Sequence, residues 1–214
     1  YRNQEWLLNF GGGYRRLVAD RDWLLGGNMF YDHESQYSHS RLGWGLEALS
    51  SYAEARSNVY VPTSGERTVE ENAGGTTRER AVSGFDMELG APVPYYSRLK
   101  VFGGLNWYDL PDFKNRYGWT LRTEYTPLPF VVIDGTLGND TKSNIDWGVK
   151  VAFRIPLGGN LEESRSPLQR DDTMFPESDA GGHLFDLVER HHEIVIQRSH
   201  TSQGLTVEAA RGGS

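Results

Sequence analysis

The chain has no cysteine. Disulfides and thiolate metal sites are therefore excluded, while the compartment stays open. It also lacks long apolar runs: nothing approaches the ~20 residues a membrane helix needs. Mean hydropathy is low, at -0.58, and hydrophobic residues make up 37% of the 214. Such values suit a soluble β-protein. They equally suit a transmembrane β-barrel, in which only every second residue faces lipid. Basic charge is scarce, and the net charge of -7 argues against a nucleic-acid partner. No signal peptide is visible and the chain opens on Tyr1 rather than Met, so we expect its true start to lie upstream.

What is abundant is glycine, with 25 residues, and aromatics, with 11 Tyr and 6 Trp. Glycines at strand bends and aromatics at membrane interfaces are barrel features. The stretch from Tyr117 to Pro156 reads as three alternating strands. In the last, Ile145, Trp147, Val149, Val151, Phe153 and Ile155 share one face, opposite Asp146, Gly148, Lys150, Ala152 and Arg154. Side chains alternate sides along a strand, so one face is apolar and the other charged or small. Six earlier segments repeat the design, beginning with residues 4–17, where Trp6, Leu8, Phe10 and Tyr14 oppose Asn9, Gly11, Gly13 and Arg15. Trp23–Tyr31 follows, with Asn28 and Asp32 on its polar side, and then Leu42–Ala48, Ala53–Val61, Phe85–Leu89 and Leu99–Trp107. Nine strands result, and the fold class is all-β, antiparallel and up-and-down.

Short turns are expected near residues 18–21, 50–51, 92–95 and 126–129, and longer polar loops near 33–39, 62–78, 109–116 and 139–143. In a meander, alternate connections share an end, so the long loops gather at one rim. Outer-membrane barrels sort their loops this way. The polar face gathers Glu47, Glu54, Arg56, Asp86, Glu88, Lys100, Arg122, Glu124, Asp134, Asp146, Lys150 and Arg154. In a dry interior each such charge would cost several kcal/mol unless paired. Facing outward on a soluble sandwich or lipocalin-like barrel, they would be at ease. The charged face alone leaves that alternative open.

After Pro156 the periodicity stops. Leu157 to His183 reads as a Gly-, Ser- and Pro-rich linker. Leu184 to Arg198 is mixed: Asp186–His191 suits a helical turn or two, and Ile194–Ile196 suits an extended piece. Residues 201–214 read as disordered. Sites of chemistry are scarce. His183, His191, His192, His200 and Glu193 cluster in sequence without a His-Glu-x-x-His spacing, and no cofactor is implied. Gly11–Gly13 precede no helix, so a phosphate-cradling loop is not expected. Asp86 and Glu88 lie on one face of a strand, as a glycosidase pair would, yet luminal charges of mixed sign explain them without catalysis.

Several stretches together resemble the β-domain of inverse autotransporters, the intimin and invasin group. They are LNFGGGYRRL, WLLGGNMFYDHE, SRLGWGLEALSSY, VSGFDMELGAPVPYY, YTPLPFVVIDGT and DLVERHHEIVIQR. His191 and His192 stand where that family usually has asparagines. The resemblance implies a twelve-stranded outer-membrane barrel of which residues 1–156 supply the last nine strands, with the first three absent. It implies a linker over 157–200 that turns back into the pore, forms a short helix there, and stays as a plug through Asp186, Leu187, Val188, Glu189, Arg190, Ile194 and Ile196. It further implies an N-terminus in the periplasm and an extracellular C-terminus. The implied function is non-enzymatic: export and display of a C-terminal adhesin. Outer-membrane lipid, the barrel assembly machinery, the chain's own passenger and, through it, a host cell receptor are the partners implied. The other readings are a passive porin-like barrel without a passenger and a soluble barrel that binds a small ligand.

Overall fold

The structure is a computed structural model, and it describes residues 6–128, 130–153, 170–175, 180–202 and 204–208. Nine antiparallel strands form one sheet. They are β1 (Leu7–Val18), β2 (Trp23–Glu34), β3 (His39–Ser50), β4 (Glu54–Pro62), β7 (Gly84–Val93), β8 (Tyr96–Tyr108), β9 (Arg116–Leu128), β10 (Val131–Asp140) and β11 (Ser143–Phe153). Spatial order follows chain order, β1-β2-β3-β4-β7-β8-β9-β10-β11. The sheet does not close on itself among the described residues: β1 and β11 are its two edges.

A second sheet stands off the first. The expected 62–78 loop is instead a hairpin, β5 (Arg67–Asn72) and β6 (Gly75–Ala81). Asn72 makes its turn, its side-chain oxygen accepting the Gly74 N–H at 2.8 Å. The order is β13-β12-β6-β5, in which β12 is Ile196–Ser202 and β13 is Leu205–Glu208. Residues 201–202 and 205–208 are therefore paired strand, where the sequence predicts disorder over 201–214. The apolar pair Leu205 and Val207 on β13 is exposed, so it is the ladder partner rather than burial that supplies the order.

Two further expectations are corrected. The connections at 33–39 and 139–143 are both short: β2 and β3 are already paired at Glu34↔His39, and Asp140 accepts from the N–H groups of Lys142 and Ser143 at 2.6 and 2.9 Å. Asp at this position closes a turn with its own side chain. The loop asymmetry therefore rests on the β4–β7 and β8–β9 connections. The short helix expected near Asp186–His191 is absent, and a single 3-10 turn at Ala180–His183 stands upstream. Asp186–Val195 has no regular secondary structure.

The sheet's two faces differ as alternation requires. Along β3, Arg41, Gly43, Gly45, Glu47 and Leu49 are buried while Trp44 and Leu46 are exposed. Along β4, Glu54, Asn58 and Tyr60 are buried between exposed Ser57, Val59 and Val61. Among the described residues, 13 polar or charged residues are buried against 11 hydrophobic ones. A soluble domain would show the reverse. The largest apolar side chains look outward, with Trp147 74% and Phe153 72% exposed. One apolar ring does sit on the polar face. Phe102 lies opposite Gly90 in register, where a Cβ would strike its ring, and Arg122 stacks over it at 3.8 Å.

Candidate functional site

The site is the polar face together with the segment lying on it. The segment starts at the rim of short turns, where the Ala180 N–H donates to the Arg21 carbonyl at 2.9 Å. There Ala180 and Leu184 pack with Leu17, Leu24 and Leu49. It ends at the rim of longer connections, where the Val82 N–H donates to the Val195 carbonyl at 3.1 Å. Val195 packs there against a cluster of Tyr60, Val82, Tyr108 and Leu110, beside Phe113. Between these apolar ends the segment runs the length of the strands.

Strands β1 to β4 hold it mostly through its backbone. Arg15 donates to the carbonyls of His183 (3.0 Å), Leu184 (3.3 Å) and Asp186. Asn58 donates to the Glu189 carbonyl (3.4 Å), Arg41 to that of His191 (2.6 Å) and Asn9 to that of His192 (3.4 Å). The His191 N–H donates in turn to the Tyr60 hydroxyl at 2.9 Å. One contact is made side chain to side chain. Arg190 forks onto Asp32 at 2.8 and 2.7 Å and covers the Phe30 ring at 4.2 Å. Arg41 also binds Asp32, at 2.9 Å, with both side chains fully covered. The Asn9 amide donates the fourth bond at 2.6 Å, so both oxygens of this buried carboxylate are fully engaged, which is the condition under which buried charge is tolerated.

The expected polar-face residues are placed as follows. Glu47 pairs with Arg15 at 2.5 Å. Glu54 takes Lys100 and Arg56, both at 2.5 Å. Glu88 joins Arg56 (3.4 Å) and Arg122 (2.7 Å), and Arg122 reaches Glu124 and Asp134, each at 3.5 Å. Asp86 accepts from the Tyr60 hydroxyl at 2.6 Å and from Asn58 at 2.8 Å. Both members of the Asp86–Glu88 pair are thus committed to neighbours. Asp146 and Lys150, on β11, are exposed and line cavities. Arg154 lies outside the described residues. Of the expected plug residues, Asp186, Val188, Arg190 and Ile196 are half-buried and Ile194 is buried, while Leu187 and Glu189 are exposed.

Sequence reasoning left the anchor residues Asp32, Arg41, Asn58 and Tyr60 out of the candidate set. The signal was there for two of them: the short connection after Glu34 puts Asp32 directly opposite Arg41. The clustered histidines are dispersed. His183 binds Asp186 at 2.7 Å, His200 meets Thr77 at 2.9 Å, and His191 lies edge-on to Tyr108. Among the described residues no three metal-ligating groups converge. What the arrangement offers is a lane for an extended chain.

The model of the inverse autotransporter β-domain family matches residues 2–192. The inverse autotransporter adhesin YeeJ of Escherichia coli (strain K12) is 24% identical over 199 residues, covering 89% of this chain and 8% of YeeJ. Intimin of Escherichia coli O111:H- is 23% identical over 206 residues, covering 92% of this chain and 21% of intimin. Escherichia coli YchO, an uncharacterized protein, is 29% identical over 178 residues, 74% of this chain and 37% of its own. The chain spans well under half the length of these relatives. Its fold matches a solved chain described under "Unveiling the Mechanism Behind the in-meso Crystallization of Membrane Proteins", with TM-score 0.73 and 23% identity, over 91% of this chain and 81% of that one. The all-β antiparallel architecture, the outward apolar face and the match over residues 2–192 agree: this chain belongs to the inverse autotransporter β-domain family.

Proposed function

We propose that this chain is the outer-membrane translocator and anchor that exports and displays a C-terminal adhesin. The observation that carries the reading is the course of residues 180–202. They run from one rim of the strands to the other across the polar face, and their last part leaves as strand β12 beside the β5–β6 hairpin. A chain arrested in passage through a wet bore has this course. The outward side chains supply the complementary half, because a continuous exposed apolar face calls for a non-aqueous neighbour.

In this reading lipid covers the face bearing Trp147, Val149, Val151 and Phe153. The polar face lines the bore with Glu47, Glu54, Arg56, Asp86, Glu88, Lys100, Arg122, Glu124, Asp134, Asp146 and Lys150. The rim of short turns is periplasmic and the rim carrying β5–β6 extracellular. Open edges cannot sit in hydrocarbon, so in this reading β1 and β11 are joined by further strands, and the family resemblance puts the total at twelve. The barrel assembly machinery inserts the sheet, and the displayed adhesin meets a host receptor. The mechanism involves no bond-making. Arginine and asparagine side chains hold backbone carbonyls, which every sequence carries, so different stretches of chain pass the same contacts.

Surface labelling of a tag placed after Ser214 in intact cells tests the reading. External signal, together with heat-modifiable migration in detergent, is the expected result. A folded, heat-modifiable protein whose tag stays inside would reject export.

A further inference from the structure

The β5–β6 hairpin does more than cover the exit. Strand β12 lies beside β6 in a continuous antiparallel ladder from Ile196↔Ala81 to Thr201↔Thr76. Beyond it, β13 returns along β12 from Ser202↔Leu205 to Ser199↔Glu208. So β12 has a partner on each side, while β13 is an edge strand with exposed side chains.

The ladder is bolted to the large sheet on both faces. On one, Glu79 of β6 reaches His39 at the start of β3 at 3.4 Å, with both side chains fully covered, and Arg198 of β12 approaches Glu79 at 3.6 Å. On the other, Gln197 of β12 donates to Asp112 in the β8–β9 connection at 2.5 Å and accepts from the Asp112 N–H at 3.3 Å. The hairpin tip fits closely too. Gly75 has φ +142°, and a Cβ there would drive into the Thr201 carbonyl oxygen.

The geometry of a pull follows from these attachments. Strand β6 is tied to the large sheet at its Ala81 end, through Val82 and β7. Strand β12 is level with that end at Ile196, and its outgoing end is Ser202. Tension on the chain beyond Glu208 first breaks its exposed ion pair with Lys142 (2.5 Å), which is weak in water, and then draws Glu208 away from Ser199, which opens the β12–β13 ladder one pair at a time. Once β13 has peeled, the load runs along β12 away from the Ala81 end. Every backbone bond between β12 and β6 is then strained together, in shear.

We propose that the β5–β6 hairpin is a mechanical clamp for the outgoing chain: it takes tension in shear along β12, so that the segment on the polar face carries none of it. The proposal rests on the display reading in that a displayed adhesin is what would be pulled. Its physical content is separate from that reading. Peeling β13 acts as a low-force fuse. The β12–β6 ladder is the strong element, and the Arg190–Asp32 contact lies behind it, unloaded until the ladder fails.

Force spectroscopy on the full-length protein in lipid nanodiscs, gripped by a tag after Ser214, tests this. The unmodified protein should give a weak event for β13 and then a strong event for β12. Ser199→Pro removes a backbone donor in the middle of the ladder, so the strong event should be lost. Heat-modifiable migration verifies that the large sheet of this variant is folded. Thr76→Cys with Thr201→Cys joins residues that face each other in register, a spacing a disulfide can span. Oxidised, this pair should abolish the β12 event, which returns on reduction. Force curves that are the same in the unmodified protein, Ser199→Pro and the oxidised pair would overturn the clamp. A tag absent from the surface of intact cells would sink display and leave the nanodisc result standing.

Discussion

The two walls beside the segment are built differently. Strands β1 to β4 grip it: Asn9, Arg15, Asp32, Arg41, Asn58 and Tyr60 all bind it directly. Toward β9–β11 it is set off by cavities. One of about 490 Å³ is lined by Arg116, Asp140 and Asp146 on the wall side and by His191 and Glu193 on the segment. Another, of about 250 Å³, lies between Glu189 and a wall of Arg122, Asp134 and Lys150. Asp32, Arg41, Glu47 and Glu54 of the gripping wall are buried, whereas Asp146 and Lys150 on β11 are exposed. In the proposed function the two walls divide two tasks: one fixes where the chain rests, and the other leaves room for it to move and for water to follow. Most of the grip is on carbonyls, so it is indifferent to sequence. The Arg190–Asp32 fork is the exception that can tell one register from another.

The sharpest way to break this comparison is at Asp32. Asp32→Ala leaves Arg41 and Arg190 buried without their carboxylate. Breaking a buried pair from one side costs about 3–5 kcal/mol, read as a fall in the denaturant midpoint of the detergent-folded protein. The segment should also slip, seen as a rise in single-channel conductance. Asp32→Arg with Arg190→Asp, which restores one opposite-sign pair, should recover part of the conductance phenotype. If it recovers none, Arg190 is not held by charge.

The second test asks what steadies the far wall. Strand β11 is exposed on both faces, so its order must come from β10 and from whatever covers Trp147 and its neighbours. With lipid there, Trp147→Arg costs about 2–4 kcal/mol if the residue lies near the bilayer midplane. Asp146→Asn, one residue away on the other face, should change stability by less than about 0.5 kcal/mol. Equal effects in a bilayer refolding equilibrium would mean that the two faces of β11 meet the same medium.

Glu47→Gln gives the third and smaller effect. It weakens the Arg15–Glu47 pair on the gripping wall while Arg15 keeps its carbonyl acceptors. A loss of about 1–3 kcal/mol is expected in the same denaturant measurement, without the conductance change of Asp32→Ala. A matching rise in conductance would show that Arg15, rather than Arg190, sets the resting register.

These contrasts also explain what was legible in the sequence. All nine strands of the large sheet were, because period-two alternation is written wherever one face meets an apolar medium and the other a polar one. The polar face was legible as a face for the same reason. The second sheet was not. Thr76, Thr77, Arg78 and Glu79 have no apolar side, so β6 reads as solvated loop, and its order comes from a strand more than a hundred residues away. The anchors at Asp32 and Arg41 were missed because a strand pattern says which face a charge occupies and not what lies across the lumen from it. The helix expected at Asp186–His191 failed because its carbonyls are taken by Arg15, Asn58 and Arg41. A helix rises only about 1.5 Å per residue, so it would have drawn these carbonyls together and away from donors spread along the wall.

Lys150 gives the gentlest perturbation and the finest discrimination. It stands on the far wall, exposed, lining the smaller cavity opposite Glu189. Among the described residues no tight partner constrains it there, so Lys150→Glu should shift stability by no more than about 0.5 kcal/mol. Its charge still borders the space through which small ions would pass, and charges lining a passage tune selectivity. The expected outcome is therefore a change in cation-over-anion preference of the residual conductance, with the denaturant midpoint unmoved. The matched substitution on the gripped side is Glu54→Lys, which sets a third cation against Lys100 and Arg56 and should destabilise markedly. If instead Lys150→Glu destabilises as Glu54→Lys does, the far wall is packed rather than wet. The segment would then be held from both sides, and the separation of grip from passage would fail.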